Sequence, residues 1–286
     1  MHLPSAHAIK QRVENFNNRQ SAMTDFRPFE FIPGNRDKGM VILGDHAMRH
    51  LPARYGSLGL PETAFSRHIA YDIGIERLCR HLCERLGVPG VLGGFSRLLI
   101  DPNRGEDDPT LIMKISDGAI IPGNHPITDE EWNHRIEAFH RPYHKAVDET
   151  ISAVAEATAK APLVFSMHSF TPAWKGVPRP WHASVLWDSD DRAVVPLLAK
   201  LGADTDLVIG DNEPYDGALR NDTMFRHCMM KGIPHALLEV RQDLIGDEAG
   251  IIEWAERLAP IFAEINADPA LHEYERYPSR TGPYEA

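Results

Sequence analysis

Two runs, LVFSM at Leu163–Met167 and ALLEV at Ala236–Val240, constrain this chain more than any other feature. Each has the length of a strand and is nearly continuous in apolar residues, so it has no face to give to water. Such strands belong to sheets covered on both sides, which are largely parallel and lie between helices. The second run extends back to His235, and further strand candidates are Met40–Gly44, Val88–Leu92, Arg97–Ile100, Ala183–Trp187 and Leu207–Ile209. Helical patterns fall between them at His68–Leu86, Asp129–Lys160 behind a Thr128 cap, Asp191–Leu201, Thr223–Lys231 and Glu248–Asn266. The alternation predicts an α/β fold, a three-layer sandwich around a mixed, mainly parallel central sheet. Sites in such sheets form beyond the carboxyl ends of the strands. Chemistry is therefore expected in the polar loops GDHAMRHLP, DPNRGEDDP and HSFTPAWKG, each of which follows a strand candidate.

The 286 residues suit one domain, expected over 36–267, with residues 1–35 as an N-terminal extension and 268–286 as a polar surface tail. A formal charge of −11 argues against a nucleic-acid partner and favours small-molecule chemistry. No window is apolar over 18 residues, so no membrane span is expected, and the polar start lacks the apolar segment of a secretion signal, which points to the cytoplasm. Cys79, Cys83 and Cys228 are too few and too irregularly spaced for a disulfide framework and read as buried free thiols.

His46 and His168 each sit at the end of an apolar strand, where a rigid backbone could aim two imidazoles at one edge of the sheet. Two such rings can share a metal ion, because neutral imidazole is a common zinc ligand; the alternative is that each merely caps its strand. Glu239 stands among Leu237, Leu238 and Val240, where a carboxylate without a partner is costly. It is either a general base beside a metal site or the ion-pair partner of Arg241. Asn103 and Arg104 follow the Arg97–Ile100 run, and a rigidly held guanidinium, from Arg104 or Arg97, suits recognition of a substrate carboxylate. Alternatively, Asp101 and Arg104 pair with each other and shape the turn.

Together the segments DHAMRHLP, SRLLIDPNR, RPYH, SMHSF and LLEVRQDL resemble the N-formylglutamate amidohydrolase family, and more distantly the zinc carboxypeptidases and aspartoacylases, over about Val41–Ala259. GDNEPYD and RPWH look like marks of one branch of that family. The resemblance implies a zinc-carboxypeptidase-like fold and one divalent metal ion, expected to be zinc, held by His46 and His168. It also implies carboxylate binding by Asn103 and Arg104 and a catalytic role for Glu239. Tyr215 matches the mobile tyrosine that closes over substrate in the carboxypeptidases. Those enzymes carry a metal-binding Glu three residues after the first histidine; here that position is Arg49, so the third ligand is expected at Asp72, with Asp45 and His50 as competitors. His144 is either a site histidine or an ordinary surface one. The implied activity is hydrolysis of the amide of an N-acyl amino acid, with N-formylglutamate first. Two alternatives remain, a carboxypeptidase-like peptidase and a carboxylate-binding protein whose metal site has decayed.

Overall fold

Residues 26–283 are described by a computed structural model, and the first 25 residues lie outside it. Among the described residues eleven strands occur: β1 Phe29–Ile32, β2 Met40–Gly44, β3 Gly90–Gly93, β4 Ile115–Ser116, β5 Ala119–Ile120, β6 Leu163–Phe170, β7 Ala173–Trp174, β8 Val177–Pro178, β9 Ala183–Leu186, β10 Ile209–Asp211 and β11 His235–Arg241. The α-helices are α1 Ile75–Leu86, α2 Asp129–Arg135, α3 Arg141–Thr158, α4 Val194–Gly202, α5 Thr223–His227 and α6 Glu248–Asn266. Seven strands form one sheet in the order β1-β3-β2-β6-β11-β9-β10; β4–β5 and β7–β8 are small hairpins. Four of the six pairings in the large sheet are parallel, and β1–β3 and β9–β11 are antiparallel. The expected three-layer α/β sandwich with a mixed, mostly parallel sheet is therefore present.

Alternation along β6 and β11 divides the core. Leu163, Phe165 and Met167 of β6 and Ala236, Leu238 and Val240 of β11 pack with α1, α4 and α6 on one face. Val164 and Leu237 face the other layer, with Tyr143, Val147 and Ile151 of α3. Side chains two apart share a face, so Ser166 and His168 follow Val164 and Glu239 follows Leu237 onto this second side. The first core is clamped by Phe165 stacked on Phe262, ring centroids 3.8 Å apart and planes 8° from parallel. Phe165→Ala is expected to lower unfolding free energy by about 3–5 kcal/mol, measured by denaturant titration, without moving any site side chain.

Several elements differ from the sequence-based expectation. Arg97–Ile100 is a turn, not a strand: Leu98, Leu99 and Ile100 are buried, and the Ser96 side chain accepts from the Leu98 amide while its carbonyl accepts from Leu99. A short apolar run fits either state by periodicity alone. Phe29–Ile32, placed with the extension, form the edge strand on β3. The helix expected from His68 begins at Ile75, after the αL residue Gly74. The long Asp129–Lys160 helix is interrupted by a π turn over Ile136–His140, which ends two residues before Pro142. Proline has no N–H and crowds the carbonyl four residues back, and a widened turn accommodates both effects. Leu207 and Val208 precede rather than form β10, and α5 gives way to a 3-10 turn at Met229–Lys231. In the tail, His272 is buried with its ring on the Ala161 and Asn266 carbonyls, and Arg280 meets Asp188 and Asp216. All three cysteines are buried free thiols. Among the described residues no helix is long and apolar enough to cross a membrane.

Candidate active site

The carboxyl ends of β2, β6 and β11 lie side by side, and each delivers polar residues to one edge of the sheet. His46 is two residues beyond β2, while His168 lies within β6, which runs on to Phe170. In the β6–β11 register Glu239 is the direct partner of His168. The ends meet closely because β3 closes on β2 at Gly93, where a Cβ would collide with the Asp45 carbonyl.

His46, His168 and Asp72 form the centre of this edge. One ring nitrogen from each histidine and one Asp72 oxygen lie within 4.8 Å of one another, all three residues being buried, so the group could hold a metal ion. Nδ1 of His168 is 2.9 Å and Nδ1 of His46 3.5 Å from Asp72 Oδ2. The outer nitrogens are held by carboxylates: His46 Nε2 donates to Asp101 at 2.6 Å and His168 Nε2 to Asp45 at 2.8 Å. Carboxylates on the far nitrogen fix tautomer and ring orientation, the arrangement typical of metal-binding histidines. Asp45 is in turn held by Tyr143, Ser166 and Thr223 hydroxyls.

Charge bears on the fit. Burial alone would raise the pKa values of Asp45, Asp72 and Asp101. It is outweighed at Asp45 by the hydrogen bond from His168, at Asp72 by the Arg97 charge and at Asp101 by His46, so all three stay well below the usual carboxylate range. Three ionised carboxylates thus sit in the interior around the His46 ring, the His168 ring, whose pKa burial would lower but Asp45 and Asp72 raise well above its usual value, and one guanidinium, Arg97, which reaches Asp72 and approaches His46 Nδ1 at 2.5 Å. Such a cluster favours a cation, and a two-nitrogen, one-oxygen donor set suits a divalent one.

Glu239 is the exception. Only 8% exposed, it has Oε2 without any partner, and burial pushes its pKa up to about 7. Arg241 is not its counterion; it pairs with Asp243 and the Arg179 and Trp181 carbonyls. A cavity of about 560 Å³ opens here, lined by His46, His168, Arg97, Asn103, Arg104, Tyr215 and Glu239 among others. Asp72, 1% exposed, lies beneath its wall.

The remaining sequence candidates separate. His50 is exposed, and Asp45 engages the outer nitrogen of His168 rather than the inner cluster. Arg49 points away, donating to the Phe65 carbonyl and lying over Tyr71. Asp101 does not pair with Arg104, whose nearest carboxylate is Asp108 at 3.6 Å. Tyr215 accepts at its hydroxyl from Arg179 at 2.9 Å, and Arg179 also lies over Phe170 and Trp174. His144 is buried outside the cavity lining. Sequence reasoning passed over His68, Ser169, Arg179 and Asp222. His68 Nδ1 has no hydrogen-bond partner, and burial lowers its pKa to about 4. Asp222 caps α5 and, through burial, has a pKa raised to about 7. The Arg179 signal was present in the Pro-Arg-Pro-Trp-His segment, where an arginine follows an exposed hairpin.

Comparison with known proteins bears on the fold and the family. A crystal structure of a gene product from Agrobacterium tumefaciens is similar at a TM-score of 0.78 and 28% identity, covering 84% of this chain and 94% of that one. That of N-formylglutamate amidohydrolase from Ralstonia eutropha is similar at 0.59 and 20% identity, covering 84% and 97%. No curated protein sequence matches the chain. The family model for N-formylglutamate amidohydrolase matches residues 39–246, a span that begins just before β2 and ends beyond β11, and so takes in every cavity residue named above. With six of the seven strands of the large sheet and most of its length inside that match, the chain belongs to the N-formylglutamate amidohydrolase family and is an amidohydrolase.

Proposed function

We propose that the protein hydrolyses the amide bond of an N-acyl amino acid, N-formyl-L-glutamate first, with a divalent metal ion held by His46, His168 and Asp72. The observation that carries the reading is Glu239: an unpartnered buried carboxyl group that shares one cavity with that cluster and with Arg104. The donor set suits zinc, which typically takes three protein ligands in catalytic sites. Once bound, such an ion supplies Lewis acidity, polarising the amide carbonyl and making water there more acidic.

The chain's own groups do the rest. Asp101 and Asp45 keep the Nε2 protons of His46 and His168, so that both rings present Nδ1 inward. Glu239 takes the proton of the attacking water and passes it to the departing amine, a task for which a pKa displaced toward neutrality suits it. Arg97, against the cluster, stabilises negative charge that develops on the carbonyl oxygen. Asn103 and Arg104 bind the substrate carboxylate, and Tyr215, steadied by Arg179, covers the cavity mouth.

The test is direct. Purified protein with added zinc is expected to release formate and glutamate from N-formyl-L-glutamate, to lose that activity to a chelator and to regain it when zinc is restored; turnover unaffected by thorough chelation would refute metal dependence. Arg104→Ala is expected to raise KM about ten- to a hundredfold for substrates with a free carboxylate, the loss of a charge-assisted contact. KM for the corresponding amides should hardly move. Equal effects on both would assign Arg104 to structure alone.

A further inference from the structure

Two histidines that this mechanism does not use bond to the backbone of the loop carrying Asn103 and Arg104, and a third holds one of them. His140 closes the π turn, His144 is one turn on in α3 and His227 ends α5. They are 0%, 5% and 3% exposed, and the His144 and His227 rings are stacked at 5.1 Å. Burial lowers all three pKa values, that of His140 to about 4, so the rings are neutral near neutral pH. A neutral imidazole has one donor and one acceptor nitrogen. Carbonyls only accept, so His140 Nε2–H donates to the Arg104 carbonyl and His144 Nε2–H to the Pro102 carbonyl, each at 2.9 Å. His144 Nδ1 is then the acceptor for His227 Nε2–H, also at 2.9 Å. The Nε2 atoms of His140 and His144 lie 3.2 Å apart, and since both donate to carbonyls they do not bond to each other. Both nitrogens of His144 are thus engaged within the protein.

We infer that His140, His144 and His227 are positioning residues for carboxylate recognition, clamping the backbone on either side of Asn103 so that Asn103 and Arg104 are held toward the cavity. The inference rests on the carboxylate-binding role proposed above for those two residues. Arg104 needs such a clamp, since its side chain is 36% exposed and its nearest acid is 3.6 Å away. Its aim must come from the main chain. Other anchors of the loop lead to the same place: the Asn103 amide donates to Asp101, the carboxylate that holds His46, and Asn103 Oδ1 accepts from the Thr223 amide at the start of α5. The helix that ends in His227 thus meets the loop directly at its start, through Thr223, and at its end by way of His144.

The test replaces His144. His144→Phe preserves a stacked ring but deprives the Pro102 carbonyl of its donor. KM for N-formyl-L-glutamate is expected to rise about tenfold, the scale of one lost buried hydrogen bond, while kcat changes by less than about threefold and metal content stays the same. Deuterium exchange at the amides of residues 103–108 should quicken about tenfold. His144→Gln, whose side-chain amide can still donate to Pro102, should recover most of both effects. Unchanged exchange or unchanged KM in His144→Phe overturns the inference, as does equal loss in the Phe and Gln variants. Exchange needs no substrate, so a wild type that fails to hydrolyse N-formyl-L-glutamate defeats the functional reading and leaves this readout intact. Should His144→Phe not fold, His140→Leu against His140→Gln makes the same comparison at the Arg104 carbonyl.

Discussion

Glu239→Gln is expected to give a folded protein that still binds metal and substrate but turns over about a hundred- to ten-thousandfold more slowly, the usual range for loss of a general base. The substitution removes charge without removing an ion pair, because Arg241 is engaged elsewhere and Glu239 Oε2 has no partner to lose. The thermal midpoint should therefore hold or rise, since a buried carboxyl gives way to an amide of the same shape. The pH dependence follows from the same burial. Glu239 must be ionised to accept a proton, and its pKa is raised to about 7, so kcat/KM should climb with pH across the acid side of neutrality and level off above it. A bound cation favours the carboxylate and shifts that limb downward, toward but not below the ordinary glutamate range. In the Gln variant the limb should vanish. Midpoint, metal content and kcat measured on one preparation decide the matter: a metal-loaded, folded variant with near-normal kcat would remove Glu239 from the mechanism.

His168→Ala is the other large expected effect. The ring spans two buried acids, Asp72 on Nδ1 and Asp45 on Nε2, and its loss leaves both short of a partner. Stability should drop by about 3–5 kcal/mol, the cost of leaving buried charge uncompensated. A position at a strand end would not by itself imply that cost. Metal affinity should fall more than about a hundredfold, beyond what loss of an outer partner produces, and Asp45→Asn, which meets the ring only at its outer nitrogen, should fall within about ten- to a hundredfold. Isothermal titration with zinc below the lower of the two melting points compares them. If Asp45→Asn weakens binding as much as His168→Ala, the ring is not a ligand and the metal lies elsewhere.

The residues at the sheet's edge were legible because they break a pattern. His168 and Glu239 interrupt apolar runs, and a polar side chain in a buried strand requires a reason that sequence alone can notice. Asp72 was legible only as one of three candidates, since its place between the rings depends on the Ser96–Ile100 turn, which reads as a strand. What the sequence concealed was pairing at long range. Asp101 and Asp45 hold rings that are 55 and 123 residues away along the chain, and a carboxylate in a polar loop carries no mark of which ring it will face. The histidines under the Asn103 loop were hidden for a similar reason: the π turn shifts His140 and His144 relative to an ideal helix, so helical periodicity misplaces the face they present.

The pairing of Glu239 with His168 across β11 and β6 has a consequence for how this scaffold can change. Neighbours along a strand point to opposite sides, so a single residue inserted or deleted within β11 ahead of Glu239 would rotate its carboxylate out of the cavity and into the layer of α6, beside Leu238 and Val240. Length changes inside these strands therefore abolish the chemistry outright, whereas lengthening of the segments after Phe170 or Arg241 leaves the register untouched. New substrate preferences in relatives of this protein should accordingly arise from insertions in those flanking loops and from point substitutions, with the spacing inside β6 and β11 left invariant.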